Sequence, residues 1–183
     1  MAKKNAGFSL PELMIVLGIL MILVAAALPY VNNFLQNYRV VGDARGITAQ
    51  LALARMRATS SSSPARLNFN LSANSYQFEV WNSGAWQARG GVINLSNGIE
   101  FGYGALTTPA GAQTTIAQTS LITFNSRGLS IDSTSTGYPI GGNPIGTAAI
   151  YINDGKGLYF AITANLVGQP AVWEYNGTAW KQL

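Results

Sequence analysis

Histidine and cysteine are both missing from the 183 residues. Without histidine there is no imidazole to serve as general base or to complete a nucleophile–imidazole–carboxylate triad. Without cysteine no disulfide can form, and the thiolate ligands of structural zinc are absent. The fold must be held by its core and its hydrogen-bonded ladders alone. Charge is scarce as well: 10% of residues are Asp, Glu, Lys or Arg, against about 25% in an average soluble domain. From residue 59 onward the acids Glu79, Glu100, Asp132, Asp154 and Glu174 stand singly, with no paired carboxylates at short spacing. Gly102-Tyr103-Gly104 and Gly141-Gly142 lack the strand–glycine–helix setting of a phosphate or dinucleotide loop. These absences argue against an enzyme and require no cofactor and no metal.

The net charge of +4 is unevenly placed. Lys3 and Lys4 open the chain, and Arg39, Arg45, Arg55 and Arg57 follow the apolar segment described next. Beyond residue 59, Arg66, Arg89, Arg127, Lys156 and Lys181 balance the five acids. The carboxyl-terminal part therefore lacks the concentrated basic footprint of a nucleic-acid binder.

What the sequence has in abundance is hydrocarbon at one end. Residues 8–28 are almost wholly apolar, with a single acid, Glu12. A helix of that length rises about 32 Å, close to the hydrocarbon thickness of a bilayer. Lys3 and Lys4 before it predict an amino terminus retained in the cytoplasm, with the rest of the chain across the inner membrane. Ser9-Leu10-Pro11-Glu12 matches a capping box, and Pro11 suits a first helical turn. A carboxylate one turn into the bilayer is nonetheless unfavourable by a few kcal/mol, so capping alone is a poor reason for Glu12. Pro29 follows the run and is expected to kink or loosen the helix near Ala25.

From residue 30 to 59 the pattern becomes amphipathic. Val31, Phe34, Tyr38, Val41, Ala44, Ile47, Leu51, Ala54 and Ala58 recur every three or four residues, as one helical face does. That stripe is expected to lie on a sheet. Ser60-Ser61-Ser62-Ser63-Pro64 ends the helix. Short strands follow, at 66–70, 76–81, 86–89, 92–95, 99–103, 121–125, 148–153, 158–163, 171–175 and 179–183. Turns are expected at Asn82-Ser83-Gly84, Ser126-Arg127-Gly128, Asp154-Gly155-Lys156-Gly157 and Asn176-Gly177. Residues 104–120 and 133–146 read as long loops, the first of them exposed. The four tryptophans, Trp81, Trp86, Trp173 and Trp180, are expected to pack on the core or on sheet surfaces rather than serve as ligand platforms.

The switch from Lys3-Lys4-Asn5-Ala6-Gly7 to Phe8, the acid at Glu12 and the apolar run resemble the processing site of type IV prepilins and pseudopilins. The stretch Ala52-Leu53-Ala54-Arg55-Met56-Arg57-Ala58 with the strand after it, and Ile122-Thr123-Phe124-Asn125-Ser126-Arg127-Gly128, resemble the GspH/FimT-type minor pilins. Pro11 departs slightly from the aliphatic residue commoner there in the family. The resemblance implies an α+β pilin fold, a long amino-terminal helix on an antiparallel β-sandwich-like domain. It divides the chain into a leader (1–7), a transmembrane helix (8–28), an amphipathic helix (29–59) and a β-rich domain (60–183). It further implies cleavage between Gly7 and Phe8 by prepilin peptidase, N-methylation of Phe8, and pairing of Glu12 with the new Phe8 amine of a neighbouring subunit. The implied partners are other pilin or pseudopilin subunits, the peptidase, inner-membrane lipid and the assembly platform. The implied role is a minor structural subunit of a type II secretion pseudopilus or a type IV pilus. Some pilins of the FimT branch bind DNA through a basic carboxyl-terminal motif. Here residues 173–183 carry one lysine, Lys181, and one acid, Glu174, so DNA is the alternative rather than the expected partner.

Overall fold

The computed structural model describes residues 9–183, with residues 29–33 described by their backbone alone. Helix α1 runs Leu10–Ser60 and covers 51 residues. The chain divides into two compact units, Met1–Gln36 and Asn37–Leu183. In the first, the Ser9 carbonyl accepts the Leu13 N–H at 3.1 Å and starts the helix. Among the described residues, no hydrogen bond between the Ser9 hydroxyl and Glu12 closes the expected capping box. Leu10–Leu28 has a mean hydropathy of 2.5, and none of it is buried.

In the second unit, α1 supplies one wall of the core. Val40, Ala44, Ile47, Leu51, Ala54 and Ala58 are each fully buried, at alternating spacings of four and three. Alanine at three of these positions leaves the helix backbone close to whatever it packs against. The buried face begins later than the apolar pattern suggested. Phe34 and Tyr38 are 59% and 65% exposed, and the stripe enters the core through Val40 instead. The reason is where the domain starts. The Asp43 carboxylate accepts Ser96 N–H at 2.8 Å and Ser96 Oγ–H at 3.0 Å, so the turn at residues 96–99 meets the helix at that level.

Two antiparallel sheets form the rest. The first contains β1 (Ala65–Asn70), β2 (Ser75–Asn82), β3 (Ala85–Ala88), β4 (Ile93–Asn94), β6 (Leu121–Phe124) and β7 (Ser130–Ile131). Their order is β3-β2-β1-β6-β7, with β4 also paired to β2. The second contains β5 (Glu100–Phe101), β8 (Ala148–Asn153), β9 (Tyr159–Ala164), β10 (Pro170–Tyr175) and β11 (Trp180–Gln182), in the order β11-β10-β9-β8-β5. Alternation decides which side chains meet. Leu67, Phe69, Tyr76, Val80, Ile122 and Phe124 from the first sheet share one core with Ile150, Ile152, Phe160 and Ile162 from the second and with the α1 stripe.

The hairpins follow their turn chemistry. Asn82 pairs with Ala85, which leaves Ser83 and Gly84 as a two-residue loop, both at positive φ. That is the backbone of a type I′ turn, whose twist matches the strands it joins. Between β8 and β9, Asp154 Oδ1 accepts the Lys156 and Leu158 N–H groups at 2.8 and 3.0 Å. Asn176 Oδ1 does the same for Thr178 and Ala179 between β10 and β11.

Two features depart from the sequence reading. Strand β7 pairs with β6 between the 126–128 turn and the loop from 133, where no strand was expected. The 104–120 loop is not simply exposed. Ala110 is fully buried and shares a second small core with Ala149, Tyr151 and Ala161.

Candidate assembly site

Gly7 and Phe8 lie outside the described residues. Glu12 lies in the first turn of α1 and is exposed. Pro29 falls within the Leu10–Ser60 helix, which carries helical backbone on both sides of it. The side chains of residues 10–28 have no protein neighbours to cover them: Met21 and Ile22 are each 71% exposed, and Leu10 is 74% exposed. A helix apolar on every side and uncovered throughout needs lipid or other helices around it.

The helix then becomes a docking element whose polar groups are individually placed. Arg39 Nη1 donates to the Asn97 carbonyl at 3.4 Å. Asp43 holds Ser96 as described above. At the far end, Arg55 Nε donates to the Gly128 carbonyl at 3.2 Å. Gly128 has φ +77°, and a Cβ there would sit 2.9 Å from Thr59 Cγ2. Gly168, in the turn between β9 and β10, has φ +74°, and a Cβ on it would run into the Gly128 carbonyl oxygen. Two glycines thus let the last turns of α1, the 126–128 turn and the 165–169 turn meet at one junction. Asn125 Oδ1 holds the middle turn by accepting Arg127 and Leu129 N–H at 3.0 and 3.1 Å. This gives the Ile122–Gly128 segment its physical role: a strand that enters the core and a turn shaped to fit the helix. Arg45 and Arg57 are exposed on the other faces of α1.

The outer sheet faces carry the four tryptophans. Trp81 and Trp86 pair edge-to-face across β2 and β3, with centroids 5.3 Å apart. The Arg66 guanidinium lies 4.1 Å over the Trp86 ring and ion-pairs with Glu79 at 2.5 Å. Trp173 Nε1 donates to Thr163 Oγ1 at 2.9 Å, and Trp180 Nε1 donates to the Thr108 carbonyl at 2.8 Å. All four tryptophans are engaged in packing or hydrogen bonds. Burial raises the Tyr76 hydroxyl above its ordinary pKa of 10.0, and the nearby Asp43 carboxylate adds to this. Burial also raises Tyr151, with Tyr103 adding and the Ala110 N–H opposing. Neither tyrosine faces a carbonyl-binding or anion-binding constellation. Among the described residues no group of three metal-ligating side chains comes together.

An uncovered apolar segment that runs on, within the same helix, to a two-sheet α+β domain is the arrangement of a pilin-like protein. The comparisons with known proteins agree at both ends. Residues 2–28 match the prokaryotic N-terminal methylation motif. Residues 43–168, more than half of the chain, match the family described as type II transport protein GspH. The chain belongs to the GspH family. Two solved structures of the minor pseudopilin EpsH from the type II secretion system of Vibrio cholerae are similar to it. One is 14% identical, with a TM-score of 0.48 over 79% of this chain and 96% of that one. The other is 16% identical, with a TM-score of 0.46 over 71% and 89%. No curated protein sequence matches the chain.

Proposed function

We propose that the protein is a minor pseudopilin, a structural subunit of a type II secretion pseudopilus. The observation that carries this is the joint occurrence of the methylation motif over residues 2–28 and the GspH family match over residues 43–168. Before assembly the subunit sits in the inner membrane through Leu10–Leu28, amino terminus in the cytoplasm and residues 37–183 in the periplasm. Prepilin peptidase cuts between Gly7 and Phe8 and methylates Phe8. Glu12, exposed in the first helical turn, then pairs with the Phe8 amine of a neighbouring subunit. Pro29 marks the point where the helix gives way during assembly. Its partners are other pseudopilins, the assembly platform and membrane lipid, and it has no catalytic role.

DNA binding gains no support from the site. Arg66 is paired with Glu79, Arg55 and Arg39 are turned to carbonyls of their own chain, and the carboxyl-terminal strand carries Lys181 alone.

Mass spectrometry of the protein recovered from membranes tests the reading. The expected product begins at methylated Phe8, and cross-linking brings down pseudopilins of a secretion system. Gly7→Leu is expected to leave Met1 in place and abolish assembly. Glu12→Gln is expected to be cut normally yet fail to enter filaments. A Gly7→Leu chain found processed at Phe8 sinks the proposed maturation.

A further inference from the structure

Strand β8 lies second from the edge of its sheet, but its neighbour β5 is only two residues long. β5 covers Ile152 and Asn153, and the Gly102 N–H reaches the Tyr151 carbonyl at 2.8 Å. The remaining outward-facing backbone groups belong to Thr147, Ala149 and Tyr151. An exposed row of this kind is a template for strand addition by another chain.

Five of the six groups in that row are met, four of them by side chains. The Gln118 carboxamide accepts the Tyr151 N–H through Oε1 at 3.0 Å and donates to the Tyr151 carbonyl through Nε2 at 3.1 Å. A carboxamide has the same donor and acceptor as a peptide group, so Gln118 occupies the position of a residue in a paired strand. Thr119 completes the next step. Its N–H donates to the Ala149 carbonyl at 2.9 Å, and its Oγ1 accepts the Ala149 N–H at 3.1 Å. Gln113 Nε2 closes the row on the Thr147 carbonyl at 2.9 Å. The same Gln113 braces the loop on itself through Ala117, and its Oε1 accepts the Tyr151 hydroxyl. One residue later the Ser120 carbonyl accepts the Phe69 N–H at 2.9 Å in the other sheet.

We propose that residues 113–119 are a strand-mimicking cover, which occupies the edge of β8 and prevents other chains from pairing with it. This rests on the pseudopilin reading, in which the subunit assembles with other subunits through its helix. Ordered association through one surface requires that edges elsewhere be closed, and β8 is the most apolar strand edge in the domain, with Ala148–Tyr151 all buried. A backbone strand here would present its own free edge and move the problem outward by one position. The side-chain amides of Gln118 and Gln113 take the place of backbone partners instead.

The test uses the full-length protein in detergent. Gln118→Ala removes both bonds to Tyr151, and Thr119→Val removes the Ala149 acceptor while keeping the side chain's shape. The first readout is amide hydrogen exchange at Tyr151 and Ala149. The second is self-association through Thr147→Cys, which is exposed on the same edge and is the sole thiol in a cysteine-free chain. Exchange is expected to accelerate roughly fivefold or more, at Tyr151 in the first variant and at Ala149 in the second. Disulfide-linked dimers through position 147 are expected to form in each variant background and not in Thr147→Cys alone. Unchanged exchange, or faster exchange with no gain in dimer, overturns the proposal. Should Gln118→Ala unfold, Thr119→Val carries both readouts alone.

Discussion

Ser130 is fully buried, and its hydroxyl has no hydrogen-bond partner among the described residues. A buried hydroxyl without a partner is a standing desolvation penalty, so Ser130→Ala is expected to raise stability by about 1 kcal/mol. A higher urea midpoint in detergent checks this, and a lower one shows that the hydroxyl has a partner after all. Gly128 and Gly168 make the opposite case. Each combines positive φ with a backbone or side-chain neighbour where a Cβ would go. Gly128→Ala and Gly168→Ala are each expected to lose about 1–3 kcal/mol, whereas Gly155→Ala, with open space around it, carries only the positive-φ strain. Tyr76 and Tyr151 predict a pH response. Their folded pKa values lie above the ordinary 10.0, so the fold retains their protons longer than the unfolded chain does. That stability is fully present below about pH 10 and is lost as pH rises through the folded values. Urea midpoints should fall above about pH 10, and Tyr76→Phe should make the fall shallower.

At the scale of the element, helix α1 divides its apolar residues between two environments. Leu51 is fully buried in the core that α1 shares with the sheets, while Leu53 is 41% exposed. Leu51→Ala should cost about 2–5 kcal/mol, and Leu53→Ala less than about 0.5 kcal/mol. Equal losses at the two positions would mean that the core-facing side of the helix is misassigned. The same division explains what was legible in the sequence. Period and turn chemistry locate the helix end, the type I′ turn at Ser83-Gly84 and the Asp154 and Asn176 hairpins, because each is a local property. Period does not say what a stripe faces. Phe34 and Tyr38 continue the spacing of Ala44 and Ile47, yet both are exposed and the buried stripe begins at Val40. Strand β7 escapes because two residues carry no alternation. Ala110 escapes because one alanine in a polar loop has no periodic signal, and its burial depends on Tyr151 forty-one residues away. The Gln118 cover was equally invisible, since nothing local distinguishes a glutamine that caps a strand from one that is solvated.

At the scale of the molecule, the two compact units have different requirements. The core shared by α1 and the two sheets is drawn wholly from Asn37–Leu183. A fragment of residues 37–183 is therefore expected to be soluble and to unfold in one cooperative transition, with near-ultraviolet circular dichroism from its packed tryptophans. A fragment that aggregates or shows no such signal would mean that residues 9–36 contribute to the domain. The amino-terminal unit holds the candidate processing and assembly residues, and among its described residues none is buried, so on the proposed function its stability belongs to the bilayer or the filament.

The glycine junction also bears on how fast the chain can fold. It joins Arg55 and Thr59 to Gly128 and then to Gly168, so its closure waits for partners more than a hundred residues apart along the chain. Strand β1 likewise pairs with β6, Leu67 opposite Ile122. Such non-local pairings place a domain among the slower folders, in the millisecond-to-second range. As the chain is made, the α1 stripe comes first and has nothing to dock on until the 165–169 turn has followed it. For that interval an apolar helix face and several unpaired strands stand open, which makes the newly made chain, rather than the folded domain, the form most exposed to proteases and most in need of a holding partner.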